Sequence, residues 1–181
     1  MILLVLAVVV LLGVFLIGMY NSLVQLRVRS ESAWSDIDVQ LKRRHDLIPN
    51  LVETVKGYAT HEKDTFENIA KFRSMATQAT GTVDKAAAEN QLTGALKSLF
   101  AVAENYPQLQ ASQEFTQLQN SLNEIEDAIQ NARRYYNAVV RDLNTKIQSF
   151  PTNILAGMFG FQQKQFFEAA ADDREPVAVK F

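Results

Sequence analysis

Two histidines, His45 and His61, and no cysteine occur among the 181 residues, so chemistry would have to come from few side chains. The stretch "HEKDT" at 61–65 opens like a zinc-protease helix. That site needs a second histidine four residues on, to bring two ring nitrogens to one helix face, and position 65 is Thr. His45 and His61 stand 16 residues apart, with no carboxylates at ligand spacing between them. The paired acids Asp36 and Asp38 point to different faces of a helix, which suits a solvated surface better than general acid–base work. Asp38 and Lys42 read as an ordinary pair four residues apart. No glycine-rich phosphate loop and no nucleophile elbow is present. The lack of cysteine removes disulfides, thiol catalysis, cysteine-based metal sites and a lipoprotein anchor. A net charge of −2 argues against general nucleic-acid binding. These residues predict a protein that is not an enzyme and uses no cofactor or metal.

One stretch does concentrate unusual residues: "AWSDIDVQLKRRHDLIPNLVETV", residues 33–55. On a three–four repeat, Trp34, Leu41, Ile48 and Val55 share one position, and Ile37, Arg44, Leu51 and Tyr58 share the next. Arg44 therefore falls on the apolar seam with His45 beside it. Pro49 has no N–H, so the His45 carbonyl loses its usual helical donor and a kink is expected. Two readings stand side by side. In one, the helix kinks and the basic side chains lie along it with their heads in water. In the other, Arg43, Arg44 and His45 form a polar register point that a second subunit or a partner protein meets through Asp36, Asp38 or Asp46. Trp34, Asp36, Asp38, Arg43, Arg44, His45, Asp46 and Pro49 make up this candidate interaction site. Contact of Arg44 with lipid headgroups is weaker, because a continuous helix carries it about 35 Å beyond residue 20.

The elements that position these residues begin with an anchor. Residues 1–20 carry no charge and are almost all Ile, Leu, Val, Ala, Phe, Met and Gly. Twenty such residues make a helix of about 30 Å, the thickness of a bilayer's hydrocarbon core. A signal peptide would want a basic start, a shorter apolar run and a small-residue cleavage site. Arg27, Arg29, Lys42, Arg43 and Arg44 follow the span and no basic residue precedes it, which predicts an outer N-terminus and a cytoplasmic body.

The body, 21–160, is rich in helix formers, with breaks at "TGTVDKA", "ENYPQL" and "SFPTN". The expected fold is all-α: a transmembrane helix running into a long antiparallel three- to four-helix bundle with coiled-coil-like packing. Its helices are expected at about 21–79, 83–105 and 108–150, followed by a tail at 161–181 that ends in a modest strand candidate, "VAVKF". Phe115, Leu118, Leu122, Ile125, Ile129, Ala132, Tyr136, Val139, Leu143 and Phe150 step along one face of the last helix. The lengths do not match: 83–105 returns only about 35 Å of the roughly 90 Å of 20–79. Trp34, Ile37 and Leu41 would then lack a partner from their own chain. Neighbouring copies would cover them, or Pro49 would fold that part back. The aromatic stretch "ILAGMFGFQQKQFF" (154–167) either caps the end of the bundle or docks a partner.

"WSDIDVQLKRRHDLIPNLVETVKGYATHEK", together with "YNSLVQLR", "AENYPQL", "ARRYYNAVV" and "FPTNILAGMFGF", resembles the LemA family of bacterial membrane proteins over nearly the whole chain. The family often has an aromatic where Leu143 stands, a change confined to the seam. The resemblance implies a single N-terminal span, a short outer N-terminus and an antiparallel bundle of long helices at the bacterial cytoplasmic membrane. It also implies an association, in some genomes, with membrane proteases of the heat-shock type, and it brings no catalytic residues. The expectation is a self-assembling, non-enzymatic scaffold. It is held in the bilayer through residues 1–20, forms a homo-oligomer and binds no nucleic acid. The alternative is an adaptor that presents its helices to a membrane protease or envelope-stress component.

Overall fold

The computed structural model describes residues 1–167, which hold six α-helices and no strand. These are α1 (Ile2–Lys56), α2 (Lys63–Gln78), α3 (Thr82–Ala103), α4 (Pro107–Gln110), α5 (Gln113–Gln148) and α6 (Thr152–Met158). The strand candidate "VAVKF" lies outside the described residues.

α1 runs from the apolar segment through the charged stretch without interruption. It is the one helix among the described residues with the length and composition to cross a bilayer, and its apolar window is bare of protein contact. Pro49 sits inside it, and its exposed ring finds open space outside the packed face. The break comes later than the proline. α1 ends at Lys56, where Gly57 lowers helix propensity, and the chain turns through 57–62 before α2 starts with Asp64 in its first turn. The single helix expected over 21–79 is thus two. Gly81, at φ +82°, takes the cap position before α3, within the break expected at "TGTVDKA". The helix expected over 108–150 is a short turn, α4, opened by Pro107, and then α5, whose Phe115 N–H is accepted by Ser112 Oγ at 3.4 Å.

The chain divides into two compact units. One comprises Met1–Asp36 and Ala132–Phe166, and the other is built on Ile37–Asn131. The first has a small core of Leu23, Leu143 and Ala156, with Leu26, Ile147 and Phe161 packed against it. Its segment after α6 is strapped to α5. Asn144 Nδ2 donates to the Lys164 carbonyl at 2.8 Å, its Oδ1 accepts the Lys164 N–H at 2.9 Å, and the Tyr136 hydroxyl donates to the Gln165 carbonyl at 3.0 Å. The second unit has the larger core, in which Ile48, Leu51 and Val55 of α1 meet Phe66 and Ile69 of α2, Leu92, Leu96 and Leu99 of α3, and Phe115 and Leu122 of α5. Each set follows the three–four spacing of its helix, so one face of each is apolar and buried.

The stripe expected to lack cover is covered within the chain. Ile37 and Leu41 are buried, and the Trp34 ring lies 5.4 Å from that of Tyr136 on α5. The fold-back at Pro49 is not needed either, since α1 continues through it.

Candidate functional site

Among the described residues Arg44 is the largest fully buried side chain, with no exposed surface. An isolated guanidinium so placed would cost several kcal/mol, so its partners decide whether the second unit can form. The Arg44 Nη2 donates to Glu89 Oε2, and its Nη1 donates to Glu126 Oε1 at 2.7 Å and to Thr93 Oγ1 at 3.0 Å. Glu89 is also fully buried, whereas Glu126 keeps partial contact with solvent. Thr93 Oγ1 in turn donates to the Glu89 carbonyl at 3.0 Å, so the hydroxyl holds both neighbours in place. Helices α1, α3 and α5 meet through one cation.

His45 brings α2 into the same cluster. Its Nε2 lies 2.9 Å from Glu89 Oε1, on the same carboxylate that Arg44 engages. Its carbonyl has the more definite role. Pro49 cannot donate to it, and the Arg73 Nε of α2 supplies the missing donor at 2.8 Å. The vacancy left by the proline thereby becomes a tie between two helices. Burial pushes the Glu89 carboxyl up, but the interactions with His45 and Arg44 outweigh it and hold the group below its usual range.

Of the remaining candidates, Asp38 and Asp46 line one groove with His45, Lys42 and Lys85. Asp38 pairs with Lys85 of α3 at 2.5 Å, not with Lys42. Lys42 pairs with Asp46 at 2.8 Å, and this hydrogen bond lowers the Asp46 carboxyl from its ordinary value. Arg43 is exposed and donates to Gln40 at 3.0 Å. Asp36 is exposed, and Trp34 belongs to the other unit, against Tyr136. The register reading paired Arg43, Arg44 and His45 with Asp36, Asp38 or Asp46. The structure instead gives Arg44 its counter-charges from Glu89 and Glu126 of the same chain.

Glu89, Thr93, Glu126 and Arg73 were not among the candidate residues. A signal for Glu89 exists in the sequence: it stands three residues before Leu92 and seven before Leu96, in a slot that the α3 periodicity assigns to the core. A lone acid in one apolar seam and a lone base in another are complementary. Chemically the cluster neutralises and fastens. Its guanidinium and carboxylates face each other rather than a cavity, and no group of three or more metal-ligating side chains occurs among the described residues.

Comparison with known proteins agrees with the sequence resemblance. The model of the LemA family matches residues 33–181. The chain is 28% identical to Protein LemA of Metamycoplasma hominis, over 89% of this chain and 74% of that protein. It is 27% identical to Magnetosome protein MamQ 2 of Paramagnetospirillum magneticum and 24% identical to Magnetosome protein MamQ of Magnetospirillum gryphiswaldense, in each case over 87% of this chain and 68% of the relative.

Proposed function

The chain belongs to the LemA family, and we propose that it is a membrane-anchored, non-enzymatic adaptor whose helical bundle displays outer faces to another membrane protein. The observation that carries this reading is the fate of the charged cluster around Arg44. Arg44, Glu89, Glu126 and Thr93 are turned onto one another inside the second unit, while α1 joins that unit without a break to a bare apolar segment. An internally neutralised helical unit on the same helix as an apolar anchor is what such an arrangement supplies. A self-assembling scaffold at the bacterial inner membrane is the second reading. Its main physical motive was an uncovered stripe at Trp34, Ile37 and Leu41, and those side chains are covered within one chain. A protease or envelope-stress component is the class of partner that the family resemblance favours.

The asymmetry of Lys and Arg around the anchor supports a cytoplasmic body. One experiment tests side and partner together. Thr80 is exposed and the chain has no cysteine, so Thr80→Cys carries a unique thiol for a membrane-impermeant benzophenone reagent. The thiol should react only after spheroplasts are opened, and irradiation should then yield mainly products with other proteins. Labelling of intact spheroplasts would overturn the orientation. Products containing this chain alone would replace the adaptor by the scaffold.

A further inference from the structure

The unit formed by Met1–Asp36 and Ala132–Phe166 carries two features that the adaptor reading does not use. The first is apolar. Phe150, Ile154, Met158 and Phe159 are 80%, 55%, 75% and 57% exposed, although Leu155 and Ala156 between them are buried. Four large apolar side chains grouped within ten residues exceed the scattered exposure that ordinary surfaces show. A ring contact sets the level of Phe159. The Phe159 centroid lies 4.8 Å from that of Tyr20, and Phe161 lies 5.9 Å from the same ring. From Ile2 to Tyr20 the helix rises about 27 Å, close to the thickness of a hydrocarbon core. Tyr20 therefore stands at the boundary with the headgroups, where tyrosine rings are enriched.

The second feature is polar and begins at the same level. A groove of about 620 Å³ is lined by Ser22, Gln25 and Arg29 of α1 and by Arg141, Lys146 and Thr152. Lys146 reaches across to donate to Ser22 Oγ at 2.5 Å. Arg29 and Arg141 are exposed and form no ion pair among the described residues. Three cations face one acid, Asp142, in the lining. Ser22 to Arg29 stand about 3 to 14 Å beyond Tyr20 along the helix. That range covers the headgroup layer, and long arginine side chains can reach back into it. Guanidinium groups bind phosphate through two parallel donors, which a water-filled surface groove otherwise leaves unused.

We propose that this groove binds the phosphate of an anionic phospholipid drawn from the bilayer that holds the anchor, with Phe150, Ile154, Met158 and Phe159 seated among the upper acyl segments of that bilayer. The choice of lipid over a second copy or a protein rests on continuity. Through the Tyr20–Phe159 contact, the apolar patch continues the surface of a helix whose apolar window is long enough to span a bilayer and is bare within the chain. An apolar rim beside a cationic groove is also the pattern of an interfacial lipid site, since neither part alone holds a membrane firmly. The anchor would then be one of two attachments, and the second would hold this unit against the membrane.

Fluorescence quenching in vesicles tests this on the full-length protein. The chain has a single tryptophan, Trp34, so Trp34→Phe with Phe159→Trp leaves one reporter in the patch. In phosphatidylcholine vesicles holding a minor fraction of phosphatidylglycerol, the bromine label is placed on one lipid or the other at equal molar content. Brominated phosphatidylglycerol should quench the reporter about twofold more than the same amount of brominated phosphatidylcholine. Arg29→Gln with Arg141→Gln, both at exposed positions, should abolish that preference while leaving quenching by phosphatidylcholine in place. No quenching by either lipid would overturn the proposal, because the patch would lie outside the bilayer. Equal quenching by both would overturn the headgroup site.

Discussion

In the unit built on Ile37–Asn131 a guanidinium is wholly buried, and in the unit of Met1–Asp36 and Ala132–Phe166 large aromatic and aliphatic side chains stand exposed. Each arrangement inverts the usual partition of charge and oil. The difference lies in what satisfies the misplaced groups. Arg44 finds two carboxylates and a hydroxyl on neighbouring helices of its own unit, so its balance is internal. Phe150, Met158 and Phe159 find no such cover in theirs, so whatever favours their placement is external. A buried ion cluster is costly to half-dismantle and adds little over a well-packed apolar replacement, so its clearest consequence is specificity of assembly. An exposed apolar patch has the opposite character. It contributes nothing to the isolated fold and matters only when its environment changes.

The largest effect should come from breaking the cluster on one side only. Arg44→Met leaves Glu89 buried without its cation, and denaturant unfolding of the detergent-solubilised protein should lose about 3–5 kcal/mol. Pairing it with Glu89→Met should recover most of that loss. A double variant no more stable than the single one would show that side-chain shape, not charge balance, is what Arg44 supplies.

A smaller effect follows from acid. The Glu89 carboxyl is held below its ordinary value in the folded state, so it contributes stability above the unfolded pKa of about 4.3, and that contribution is lost as pH falls further toward the folded value. Melting temperatures of the wild type should therefore decline below about pH 4.3, and those of Glu89→Gln, already lower at pH 7, should decline less steeply. Parallel declines would assign the acid sensitivity to other carboxylates. The smallest effect belongs to the other unit. In detergent, Phe150→Ser should change stability by no more than about 0.5 kcal/mol, since the ring is 80% exposed. A large loss there would mean that the patch is part of the fold after all.

Much of the fold is legible in the sequence. The apolar run ahead of Arg27, the helical periodicity of 113–148 and the capping signals around Gly81 and Pro107 are local properties, and each corresponds to an element of the fold. Of the last helix's expected seam, Phe115, Leu122, Ile125, Ile129, Tyr136, Val139 and Leu143 are buried, but Phe150 falls beyond the helix and faces out. Periodicity located the apolar face while the chain stayed helical and failed where the helix stopped. The turn at 57–62 was missed because Gly57 alone is a weak breaker, and the decisive step is the packing of Phe66 and Ile69 back against Val55.

By itself the sequence determined the all-helical class, the apolar N-terminal helix and the oddity of Arg44 and Pro49, because composition and spacing act within a turn or two of helix. Only the tertiary structure decided what Arg44 pairs with, what replaces the donor that Pro49 lacks, and how Trp34, Ile37 and Leu41 are covered. Glu126 is 82 residues from Arg44 and Arg73 is 28 from His45. No local rule joins side chains so far apart. Their meeting depends on which helix faces which, and the burial of the whole apolar face sets that.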